Sequence, residues 1–205
     1  MVHLLPHWTW DGNHTGKTKL VRAYTNAASV SLTLNGKAVG KKQTVRKLGW
    51  AEWNVSYAPG TLSAKGYDAS GTVIATDIVE TAGKPARLRL TVESGSVGES
   101  DVLKADGIDV GILRVEVQDS QGLPVPTASN KISYKVTGAG KLHGLANGNP
   151  SDQTPDKSKA REVFGGLGRV IVQTVAGKAG KLEVHAEAEG LLGDVAVLDV
   201  QLPGV

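Results

Sequence analysis

The stretch Val21–Gly40, VRAYTNAASVSLTLNGKAVG, restricts the fold more than any other part of the chain. Val30, Leu32 and Leu34 alternate with Ser31, Thr33 and Asn35, which is the period of a strand with one buried face. The alternation runs into Asn35-Gly36, a pair that accepts positive φ at both central positions of a type I′ turn, whose twist matches the strands it joins. The segment therefore predicts strand, turn, strand, tight turn and the start of a third strand.

A fold made of hairpins needs many turns, and 26 Gly and 8 Pro in 205 residues supply them, while no long helical period is present. Strands are expected over Thr18–Thr25, Ser29–Asn35, Lys37–Gln43, Glu52–Tyr57, Thr61–Asp68 and Thr72–Ile78, with Trp53, Val55 and Tyr57 on one face. About seven short strands in about 80 residues is the pattern of an immunoglobulin-like sandwich. Thr81–Pro85, TAGKP, then interrupts the apolar rhythm and marks a domain boundary. A second β series follows over Ala86–Val92, Gly111–Gln118, Lys131–Thr137, Gly168–Thr174, Lys181–Ala188 and Val195–Leu202. The expected fold class is all-β, as two tandem immunoglobulin-like antiparallel β-sandwiches over residues 1–83 and 84–205. Between the later strands Gly138–Gly168 reads as a long polar excursion, pinned to the sandwich by Leu142, Leu145 and Phe164, the one Phe of the chain.

Charge and composition exclude several classes of function. A net charge of +3, with lysines spread along the chain, argues against nucleic acid as a partner. The densest basic group, Lys41, Lys42, Arg46 and Lys47, reads as a solvated hairpin edge that discourages strand-to-strand aggregation. With no Cys there are no disulfides or thiolate metal sites. No apolar run has the length of a membrane span, and the first residues lack the layout of a signal peptide. Met1–Pro6 reads as a cut inside a longer protein, with any export signal upstream. A secreted or periplasmic location is slightly favoured over a cytoplasmic one.

Candidate binding residues divide into aromatic and polar sets. Trp8 and Trp10 would share one face of an extended segment and stack on pyranose C–H faces; equally, they would anchor that segment on the sandwich. Trp50 and Trp53 are three apart and point to opposite faces of a strand, with Trp53 the core residue and Trp50 on the other side. Asn147, Asn149 and Asp152 offer the paired donors and acceptors that read vicinal hydroxyls, and they are also turn-making residues. Pro6 removes the helix that would place His3 and His7 together for zinc, so no metal or other cofactor is expected. Asp101, Asp106, Asp109 and Asp119 match no calcium-loop spacing.

The same stretches carry a resemblance. PHWTWDG at Pro6–Gly12, YTNAASVSLTLNGKAVGKK at Tyr24–Lys42, WNVSYAPGTLSAKGYDASG at Trp53–Gly71 and TAGKPARLRL at Thr81–Leu90 resemble the post-barrel sandwich of β-galactosidase-like enzymes of glycoside hydrolase family 2. LKADGIDVGILRVEVQDSQGLPVPTA at Leu103–Ala128, GLANGNP at Gly144–Pro150 and FGGLGRVIV at Phe164–Val172 resemble the immunoglobulin-like domain that follows it.

The resemblance implies an accessory module whose partner is a catalytic barrel upstream, where the family's retaining pair of glutamates resides. None of Glu52, Glu80, Glu93, Glu99, Glu116, Glu162, Glu183, Glu187 and Glu189 matches a catalytic motif of the family, so no activity is expected from this chain alone. A free-standing carbohydrate-binding module, taking galactosides or plant polysaccharides through Trp8, Trp10, Trp50 and the Asn147–Asp152 loop, is the competing reading. An adhesion-type immunoglobulin-like repeat is a weaker third.

Overall fold

A computed structural model of the chain describes residues 1–45, 49–94 and 102–204. It divides into two units, Met1–Ala82 and Gly83–Val205. The first carries β1 (Val2–Leu5), β2 (Thr18–Thr25), β3 (Ser29–Leu34), β4 (Lys37–Ala38), β5 (Gln43–Thr44), β6 (Trp50–Ser56), β7 (Thr61–Tyr67) and β8 (Val73–Glu80). One sheet has the order β1-β2-β6 and the other β4-β3-β7-β8, with β5 also on β3. Inward residues of both sheets meet in one core: Val21, Ala23, Trp53 and Val55 from one, Val30, Leu32, Leu62 and Ala64 from the other. Trp53, Val55 and Tyr57 share the buried face as their spacing requires.

The β3–β4 hairpin forms as its sequence dictates. Asn35 and Gly36 take φ of 50° and 76°, the left-handed pair of a type I′ turn. The Asn35 side chain then reaches sideways, accepting from Thr61 N at 2.8 Å and donating to Pro59 O at 3.0 Å. The strand expected over Lys37–Gln43 is instead two short ones, because the chain turns at Gly40 with φ of 63° before β5 rejoins β3.

The second unit carries β9 (Arg87–Ser94), β10 (Leu103–Lys104), β11 (Val110–Gln118), β12 (Lys131–Gly138), β13 (Gly140–Ala146), β14 (Ala160–Glu162), β15 (Leu167–Thr174), β16 (Gly180–Ala188) and β17 (Asp194–Gln201). Its sheets have the orders β13-β15-β11-β9 and β10-β17-β16-β12-β14. Leu113, Val115 and Val117 of β11 are fully buried, each such side chain contributing about 2 kcal/mol of apolar transfer. Among the described residues of this unit the strand pairs are antiparallel except β10 with β17, which is parallel. The chain is thus all-β, two β-sandwiches in sequence.

Two expectations for Gly138–Gly168 are corrected. The stretch is not one loop, since it contains β13 and β14. These strands escape a search for alternation because β13 has a bulge between Leu142 and Gly144 and two glycines where side chains would show the period. At Gly140 a Cβ would run into the Leu182 side chain of β16, so glycine is required by close approach rather than by a turn. Phe164 does not pin the excursion: it is 53 % exposed, and Leu145 and Val163 are the buried anchors.

Candidate functional site

The polar excursion between β13 and β14 is organised by a residue outside its candidate set. Arg161 of β14 is buried, and its guanidinium donates from Nε to Asp152 Oδ2 at 2.8 Å, from Nη1 to Asp156 Oδ1 at 2.8 Å and from Nη2 to Thr154 O at 2.7 Å. Nη1 also donates to Leu145 O. A buried cation requires this density of acceptors to offset its desolvation. Hydrogen bonding to Thr154 first, and then to Arg161, holds the Asp152 carboxyl well below the ordinary carboxylate range.

Asn147, Asn149 and Asp152 are brought together here, but by each other. Asn147 Nδ2 donates to Asp152 Oδ2 at 2.7 Å and to Glu162 O at 2.9 Å, while its Oδ1 accepts from Asn149 N at 3.0 Å. Asn149 Oδ1 accepts from Ser151 N at 3.0 Å, and Asp152 Oδ1 from Thr154 N at 2.8 Å. These are successive Asx turns. The groups assigned to hydroxyl recognition are engaged in holding the loop. The sequence signal that finds Arg161 is an Arg in the inward phase of Ala160–Val163 just after two aspartates.

The tryptophans separate into three environments. Trp8 has no exposed surface: its indole meets Tyr57 edge-on at 5.1 Å, and its Nε1 donates to Ala58 O at 3.0 Å. This corrects its candidacy as a sugar platform, since a ring inside the core offers no face to a pyranose. Trp10 is half-buried among His7 at 4.6 Å and His14 at 5.4 Å, with Lys19 Nζ 3.7 Å from its ring centroid. Lys19 thus occupies a ring face by cation–π contact. Burial pushes the His7 imidazole below its ordinary pKa, a shift that its hydrogen bond with Thr9 opposes and Lys19 reinforces.

Trp50 lies on the outer face of the three-stranded sheet. The register aligns it with Tyr24 and His3 in one row, and Arg22 with Leu5 and Glu52 in the next. Tyr24 is 6.0 Å from Trp50, Arg22 Cζ sits 5.7 Å over the indole, and Leu5 and Leu20 are exposed on the same face.

Other candidate chemistry resolves into turns. Asp106 Oδ1 accepts from Ile108 N at 2.7 Å and Asp109 N at 2.9 Å, and Asp119 accepts from Gly83 N at 2.7 Å as well as from Gln121 and Leu123 N. His3 lies 3.6 Å from Asp77 while His7 is on Trp10, so the two do not form a pair. Among the described residues no group of three or more His, Asp or Glu is disposed to hold a metal ion. No helix among the described residues is long and apolar enough to cross a membrane. Asp101, Glu99, Arg46 and Lys47 lie outside the described residues.

Fold and site together define a tandem β-sandwich whose polar and aromatic side chains mainly hold its own loops. Residues 96–196 match the glycoside hydrolase family 2 C-terminal domain 5, and residues 16–75 match a domain of unknown function, DUF4982. The chain is 36 % identical over 191 residues to the β-galactosidase BoGH2A of Bacteroides ovatus, covering 93 % of this chain and 21 % of that protein. It is 34 % identical to a β-glucuronidase assigned in Formosa agariphila, covering 96 % of this chain and 18 % of that one. The crystal structure of a β-glycosidase from Bacteroides vulgatus superposes with a TM-score of 0.87 at 32 % identity, over 97 % of this chain and 24 % of that one. The chain belongs to glycoside hydrolase family 2, in the C-terminal region of its members. It spans about a fifth of the length of the curated relatives it matches.

Proposed function

We propose that the chain is an accessory module of a β-galactosidase-like glycoside hydrolase, supporting a catalytic barrel that it does not itself contain. In this reading residues 1–83 are the domain that follows the barrel and residues 84–205 the C-terminal domain. The observation that carries it is the extent of the match: nearly the whole of this chain aligns with about a fifth of each enzyme. The Asn147–Arg161 loop adds support, because its polar groups satisfy one another and serve rigidity rather than substrate. The chain alone is expected to release no nitrophenol from chromogenic galactosides or glucuronides, and its gene to encode strand–helix alternation upstream. Turnover at enzyme-like rates by the purified chain would overturn the proposal.

Trp50 favours a second reading, a free-standing carbohydrate binder, since its row of Tyr24 and His3 on an open sheet face is the aromatic feature left for stacking. Titration with galactosides, β-glucans and plant polysaccharides, followed by tryptophan fluorescence in the native chain and in Trp50→Ala, distinguishes the two. A saturable change lost in the variant supports binding; a flat response removes it.

A further inference from the structure

On the outer face of the sheet β13-β15-β11-β9, Arg114 of β11 and Arg169 of β15 are directly opposite partners. Like charges in that position work against a sheet. Both face the same carboxylate: Glu93 Oε2 lies 3.0 Å from Arg169 Nη2, and Glu93 Oε1 lies 3.7 Å from Arg114 Nε. The second distance exceeds a hydrogen bond, and Arg114 Nε is buried without a hydrogen-bond partner. Among the described residues one anion therefore answers two cations, incompletely. The guanidinium groups remain open to solvent, at 42 % exposure for Arg114 and 57 % for Arg169.

They also form one wall of a cleft of about 370 Å³, completed by Ala146, Asn147, Gly148, Leu167 and Gly168. That volume is within the range of small-ligand clefts, and at Gly148 nothing lies within 4 Å of where a Cβ would stand. Gly148 holds a φ of 74°, and the engaged Asn147 side chain fixes the backbone leading into it. Leu167, 41 % exposed, adds an apolar flank. Planar five-donor guanidinium groups suit carboxylates and sulfates, whose paired oxygens accept two parallel N–H bonds.

We infer that this cleft binds the oxyanion of an acidic saccharide, a uronate carboxylate or a sulfate ester, between Arg114 and Arg169 with the sugar ring against Leu167 and Gly148. The oxyanion part stands on the geometry alone, whereas the saccharide part rests on the glycoside hydrolase reading.

The test is an amide-resolved NMR titration of the full chain at constant ionic strength with sodium glucuronate, sodium sulfate, sodium acetate and glucose. Saturable shifts at Gly148, Leu167 and Arg169 are expected with glucuronate and sulfate, and none with glucose. Loss of one charged hydrogen bond should weaken glucuronate binding about tenfold in Arg169→Gln and in Arg114→Gln. Lys181→Gln, on the other sheet, should leave it unchanged. Absence of saturation with every anion, or equal binding in the Arg169→Gln chain, would overturn the inference. Acetate binding as tightly as glucuronate would overturn its saccharide part. The chromogenic assay is independent, so a failed titration and a failed accessory reading are told apart.

Discussion

The Asn147–Arg161 loop and the Arg114–Arg169 cleft share Asn147 and have opposite chemistry. In the loop one arginine is buried and surrounded by acceptors, two of them carboxylates, and each candidate side chain already has an internal partner. In the cleft two arginines are exposed around a single carboxylate among the described residues. Polar richness in a sequence therefore does not measure the polar chemistry available to a ligand. What matters is the balance of donors and acceptors after the chain has folded, and here the sequence-rich loop is closed while the cleft retains a cationic surplus.

The comparison breaks first at Arg161. Arg161→Met removes the donor of four hydrogen bonds and leaves Asp152 without its cation, so urea unfolding should show a loss of about 3 kcal/mol in the second unit. A much smaller loss would mean that water already reaches the loop. Asn147→Ala removes two donated bonds and an Asx acceptor, and should cost about 1–2 kcal/mol in the same measurement.

Acid sharpens the contrast. The folded-state pKa of Asp152 is depressed, so its contribution to stability is complete above the ordinary carboxylate pKa and is lost as pH falls below it towards the depressed value. The urea midpoint should fall on going from about pH 5 to about pH 2, and fall less in Asp152→Asn. An equal fall in both would assign the acid sensitivity to other carboxylates. The smallest effect belongs to the cleft: Arg169→Gln should change stability by no more than about 0.5 kcal/mol, because the side chain is exposed and relief of like charge offsets loss of its Glu93 contact. A loss as large as that for Arg161 would make the two regions alike.

The parts of the fold legible in sequence are those where local chemistry and global packing agree. β2, β3 and the Asn35-Gly36 turn follow from alternation and from positive φ, and Trp53, Val55 and Tyr57 occupy the buried phase that their spacing predicts. β13 and β14 were hidden because glycines and a bulge erase the period, although packing against β15 and β12 supplies the order that propensity lacks. Trp8 sits in a segment without periodicity, so its residue type suits core and platform alike until Tyr57 and Ala58 close around it. The asparagines of the excursion are likewise ambiguous as residues, and Arg161 decides between turn and ligand. The Arg114–Arg169 pairing depends on the register of distant strands, which no local window contains.

The parallel contact of β10 with β17 has a mechanical consequence. Leu103 and Lys104 lie beside Val200 and Gln201, and Ala86 and Leu88 exchange hydrogen bonds with Leu192, so the opening segment of the second unit is stitched both to its closing strand and to the turn just before that strand. Tension applied to the two ends of that unit would load these contacts in shear, with their hydrogen bonds sharing the force instead of peeling one after another.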